Sequence, residues 1–148
     1  MLGIYTQHVG QGGGGAEGSR PVDVAFPTDR TDRTDRGASA PPSLWEEQLI
    51  SSRLLEYEIW VRIHSYGLAA SHGAAVAALL QRVALVELVP ALLARAREPF
   101  PGPVRTLDAL HLATAEFLRG QGEVVVIASY DDRLVGAARG LGFEMAGV

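Results

Sequence analysis

The chain has 148 residues, a hydrophobic content of 47% and a formal net charge of −4, so it is one domain of ordinary size with enough apolar material for a core. Net acidity excludes a protein that coats nucleic acid by bulk positive charge, because nonspecific affinity comes largely from basic groups meeting phosphates. It leaves open a site where carboxylates gather and a few of the 13 basic residues, all arginine, hold phosphates. Without cysteine there is no disulfide framework and no thiolate metal site. No run nears the ~20 apolar residues of a membrane span, and no basic-then-apolar leader opens the chain. A soluble cytoplasmic protein that does not engage membranes is expected.

Composition changes near Ser43. Residues 1–42 hold a glycine-rich stretch, then Thr28-Asp29-Arg30 repeated twice more through Arg36, then Pro41-Pro42. Few large apolar residues offset the ordering entropy there, so an atypical and mostly poorly ordered segment is expected. Leu2–Tyr5 and Val22–Phe26 each have strand character.

From Ser43 to Val148 the pattern is that of a packed α/β domain. Gln48–Ser51 reads as a short strand, and Ser52 as the cap of a helix to about His64 that ends near Gly67. Ser71 opens a second helix, from Gly73 to about Arg82. Val83–Val89 is strand-like. Pro90 starts a helix to about Glu98, which Pro99 and Pro101 terminate. Thr106 reads as the cap of a helix over Leu107–Arg119, halted by Gly120 and Gly122. Val124–Ser129 is a continuous apolar run, the mark of a strand buried on both faces. Asp131 or Asp132 caps a last helix to Gly140, and Phe143–Met145 reads as a final short strand. Alternating strands and helices imply a mostly parallel sheet covered on both sides, with ligands at the carboxyl ends of its strands.

Three carboxylates stand out by position. Asp131 follows the buried strand. Asp108 lies in the first turn of a helix, where the dipole favours the ionised form. Glu58 lies mid-helix among Leu54, Leu55 and Val61. Converging acids of this kind suit Mg2+ or Mn2+, which take oxygen ligands and retain waters. Each has a plainer explanation too: Glu58 can pair with Arg62 at i+4, Asp108 can stabilise its helix start, and Asp131 can be only a cap. Asp132 reads as a solvated neighbour. His111, at i+3 from Asp108, fits a packed or hydrogen-bonded helix histidine better than a base.

Val104-Arg105-Thr106-Leu107-Asp108-Ala109-Leu110-His111-Leu112-Ala113-Thr114-Ala115 resembles the acid-bearing helix of VapC-type toxins, which are PIN-domain ribonucleases. Ala128-Ser129-Tyr130-Asp131-Asp132-Arg133-Leu134 is similar to that family's next segment, and Ile50-Ser51-Ser52-Arg53-Leu54-Leu55-Glu56-Tyr57-Glu58 to the one that brings in its glutamate. The resemblance covers about a hundred residues. It implies a three-layer α/β/α fold over residues 43–148 and metal-dependent cleavage of RNA, with Mg2+ or Mn2+ as cofactor. It also implies a cognate antitoxin and a homodimer. Asp108, Asp131 and Glu58 would be catalytic and metal-site residues and Ser129 a polar support. Arg62 and Arg133 would be phosphate contacts.

The chain departs from this pattern at its start. The family opens with a strand that ends in an aspartate followed by Thr or Ser. Leu2-Gly3-Ile4-Tyr5-Thr6 has no acid, and in Pro21-Val22-Asp23-Val24 a valine stands where the hydroxyl is expected. A frameshift or misplaced start upstream of Ser43 would produce this, and an inactive PIN-like binding module is the alternative it implies. A phospho-acceptor domain using Asp131 fits less well, because the acidic pair and lysine of such sites are missing.

Overall fold

The computed structural model describes residues 2–6 and 42–147. In chain order these form strand β1 (Leu2–Thr6), a 3-10 turn (Pro42–Glu46), strand β2 (Gln48–Ser52), helices α1 (Leu54–Ser65) and α2 (Ala69–Leu80), and strand β3 (Val83–Val86). Helices α3 (Pro90–Arg95) and α4 (Thr106–Gly120), strand β4 (Val125–Ser129), helix α5 (Asp132–Gly140) and strand β5 (Glu144–Met145) follow.

The strands make one sheet in the order β3-β2-β1-β4-β5. β2 pairs in parallel with β3, and β4 in parallel with β5. β1 lies between the two pairs and runs antiparallel to both, with Ile4 opposite Ile50 and Leu2 opposite Ser129. Four of the five strands therefore share a direction, as expected of a mostly parallel sheet. The exception is the central one.

β4 is buried at every position, which is why its sequence is apolar without alternation. Val125 and Ile127 pack against Leu112 and Ala115 of α4 and Leu134, Ala137 and Ala138 of α5. Val126 and Ala128 face the other way, against Leu49 of β2, with Leu44 and Trp45 of the 3-10 turn beside them. A separate cluster joins Leu55, Ile59 and Ile63 of α1 to Val76 and Leu80 of α2, with Val83 and Leu85 of β3 against it. Gly140, the last residue of α5, sits against the loop before α4. A Cβ there would come within 2.5 Å of the Pro101 Cβ, so only glycine permits the approach.

Most expected elements are present, and the differences are instructive. Ser52 does not cap α1. It is the last residue of β2, and its hydroxyl points into the interior, so Arg53 takes the position before the helix. Thr106 is the first helical residue of α4 rather than its cap; extended Arg105 precedes it, and Asp108 accepts a hydrogen bond from the Arg105 amide (3.2 Å). α2 starts at Ala69, before Ser71, whose hydroxyl bonds the Leu68 carbonyl. β3 stops at Val86 and α3 at Arg95, each three residues earlier than their composition suggested. Leu2–Tyr5 is strand, as its composition suggested. Val22–Phe26 and Asp23 lie outside the described residues, as does most of the segment 1–42 expected to be poorly ordered. Among the described residues no helix is long and apolar enough to cross a membrane.

Candidate active site

β2 and β4 point the same way, so their carboxyl ends, Ser52 and Ser129, lie on one edge of the sheet. The elements that leave this edge build a cleft of about 460 Å³. Glu58 and Arg62 enter it from α1, Asp108 and His111 from α4, and Ser129 and Asp131 from the β4–α5 junction. Three carboxylates spread over more than seventy residues of sequence thus line one crevice, the usual ligand position in an open α/β sheet.

Asp131 is held by its own helix. Its backbone is extended, and its Oδ1 accepts from the amides of Arg133 (2.9 Å) and Leu134 (3.2 Å), so it is the N-cap of α5. Its amide in turn donates to the Ser129 hydroxyl (3.1 Å), which locks the turn between strand and helix. Asp132 is exposed and begins the helix. Asp108 is half-buried in the first turn of α4, with Oδ2 on the Arg105 amide. Burial holds its carboxyl above the ordinary carboxylate range, and the Asp131 charge pushes the same way. The Arg105 amide bond and the Arg105 charge oppose the rise, as does His111 whenever its ring is protonated. The repulsion between Asp108 and Asp131 is the sign that they share one electrostatic site.

Glu58 does not pair with Arg62. Its Oε2 meets His111 Nε2 at 2.9 Å, and the other ring nitrogen of His111 meets the Ser52 hydroxyl at 3.0 Å. His111 is only 2% exposed, a packed and hydrogen-bonded helix histidine rather than a base facing solvent. The Arg62 side chain consequently lines the cleft without an ion pair among the described residues. Arg133 is exposed and does not line the cleft, so a phosphate contact from it there has no geometric support. Arg105 does line it, which sequence reasoning missed; its place one residue before the acid-bearing helix was the available signal.

Among the described residues no three His, Asp or Glu side chains cluster closely enough to enclose one ion. The donors nevertheless suit a hard cation, which commonly takes one or two carboxylates and completes its shell with water and substrate phosphate. Asp108 and Asp131 are the pair that fits. The slot between β2 and β4 adds no acid. Because β1 runs in reverse, its beginning, not its end, reaches this edge, and Leu2–Thr6 carries no acidic residue.

A family model described as PIN domain matches residues 32–140. The match spans Glu58, Asp108 and Asp131 and leaves out β1 and Asp23. No curated protein and no solved structure matches the chain.

Proposed function

The chain belongs to the PIN domain family, a nuclease family of three-layer α/β/α fold, and from that premise we propose that it is a metal-dependent endoribonuclease that hydrolyses RNA phosphodiester bonds. The observation that carries this reading is the cleft in which Asp108, Asp131 and Glu58 face one space at the carboxyl edge of the sheet. Asp108 and Asp131 would hold Mg2+ or Mn2+, which when bound acidifies water and offsets charge on the phosphodiester. Their cap bonds fix each carboxylate at a helix start, so the site is preorganised before substrate arrives. Arg62 and Arg105 would hold the phosphate backbone from the walls. The sequence resemblance to VapC-type toxins supports a toxin role in the cytoplasm, with a cognate antitoxin as inhibitor and a homodimer as the working form.

The direct test is incubation of purified protein with structured RNA and Mg2+ beside Asp108→Asn. Cleavage by the wild type alone is expected. Equal cleavage by both would assign the activity to something other than this cleft.

A second reading, an inactive PIN-like binding module, is favoured by one feature. The central strand brings no carboxylate to the site edge, and no three-acid cluster forms among the described residues. RNA binding without cleavage in Mg2+ or Mn2+, by wild type and variant alike, would establish it.

A further inference from the structure

Ser52, His111 and Glu58 form a hydrogen-bonded chain that runs from the core to the cleft. Ser52 is fully buried at the end of β2, His111 is buried on α4, and Glu58 on α1 has a third of its side chain exposed. His111, more than fifty residues away in sequence, thus meets the consecutive elements β2 and α1 through two hydrogen bonds, of 3.0 and 2.9 Å. Packing does not account for this. Well-packed apolar groups of the same shape can replace a buried polar pair at little cost, whereas a half-satisfied pair is destabilising. The one end of this chain that reaches solvent is a carboxylate in the crevice.

The chemistry of the partners sets the direction of the bonds. An ionised Glu58 only accepts, so Nε2 of His111 carries the proton and donates to it. In the neutral ring Nδ1 is then the acceptor, and the Ser52 hydroxyl donates. Glu58 thereby sets the tautomer and Ser52 the ring orientation, and the ring fixes Glu58 through one oxygen, leaving the other for the cleft. Glu58 needs such a hold because, unlike Asp108 and Asp131, it is mid-helix with no backbone amide to cap.

We propose that His111, set by Ser52, is a positioning residue that aims Glu58 into the cleft. The proposal rests on the ribonuclease reading for its kinetic consequence, not for its geometry. His111 itself is too buried to meet substrate, so it acts only through Glu58.

Two measurements test it. In RNA cleavage with Mg2+, His111→Leu should lower kcat about 10- to 100-fold, the usual scale for groups that orient a site residue, with KM little changed. His111→Gln, which keeps an N–H toward Glu58, should recover most of the loss. In a Glu58→Gln background His111→Leu should add nothing, because both changes remove the same interaction. An independent, additive loss, or no recovery by Gln, would reduce His111 to a structural role and overturn the proposal. The second measurement needs no activity. Ring 15N spectra at constant pH should show His111 protonated at Nε2 and bare at Nδ1, with Glu58→Gln moving the first signal and Ser52→Ala the second. Ring signals indifferent to both substitutions would overturn it. If Asp108→Asn cleaves as well as wild type, the ribonuclease reading fails, and these spectra alone decide the role of His111.

Discussion

The two walls of the cleft hold their carboxylates by different means. On the α4–α5 side, Asp108 and Asp131 are tied within three residues of their own positions, each accepting backbone amides at a helix start. On the α1 side, Glu58 is tied to a histidine 53 residues away, itself seated on a serine from another strand. The first arrangement forms with the helix and asks nothing of the rest of the fold. The second exists only once β2, α1 and α4 have packed. A site of this kind gains two acids from local geometry and a third from tertiary structure, so damage to the core should disable the third first.

The sharpest way to break the comparison is to remove charge from the local wall. Asp108→Asn should reduce RNA cleavage by at least about 100-fold, the scale for losing one group that offsets transition-state charge, measured in single-turnover assays with saturating Mg2+. Asp131 separates two functions that coincide in one side chain. Asp131→Ala should lose the cap and about 1 kcal/mol of stability together with activity. Asp131→Asn keeps a capping oxygen, so it should melt near the wild-type temperature yet cleave poorly. If Asp131→Asn cleaves normally, Asp131 is a cap and nothing more.

A smaller effect concerns pH. The Asp108 carboxyl titrates above its ordinary value of 3.8, chiefly because it is desolvated. A group whose folded pKa is raised contributes stability that is present below the ordinary pKa and lost as pH rises through the folded one. Asp108→Asn removes that loss. The variant should therefore gain thermal stability over wild type as pH climbs from about 4 toward neutrality, while the two converge in acid. A melting difference that is flat across this range would show that folding does not raise the Asp108 carboxyl at all.

This same contrast explains what the sequence revealed. Asp131 was legible as a cap because strand, turn and helix follow within a few residues, and Asp108 because acids favour first turns. The apolar run at β4 identified itself as a doubly buried strand. Ser52 was misread as a helix cap because a serine before an apolar helix obeys the local rule, while its hydroxyl answers to His111 across the core. Glu58 was legible as an acid on an apolar helix face, and its i+4 Arg62 was the obvious partner by spacing. No local pattern encodes the histidine that takes it instead. The reversed β1 was illegible for a similar reason: five apolar and small residues specify a strand, whereas its direction depends on which neighbours it meets.

The least disruptive test compares arginines. Arg62 lines the cleft without an ion pair among the described residues, while Arg133 is exposed outside it. Freed from Glu58 by the His111 bond, Arg62 is the cation of α1 available to a phosphate. Arg62→Ala should weaken RNA binding several-fold and lower the salt dependence of log K by about one phosphate contact, leaving stability unchanged. Arg133→Ala should do neither, although both residues carry the same charge and lie close in sequence to a site acid. Equal effects of the two would mean that RNA senses the general field of the protein rather than this cleft. An effect of Arg62→Ala that vanishes in the His111→Leu background would mean that Glu58, once released, pairs with Arg62 after all, joining the two walls' separate arrangements through a single side chain.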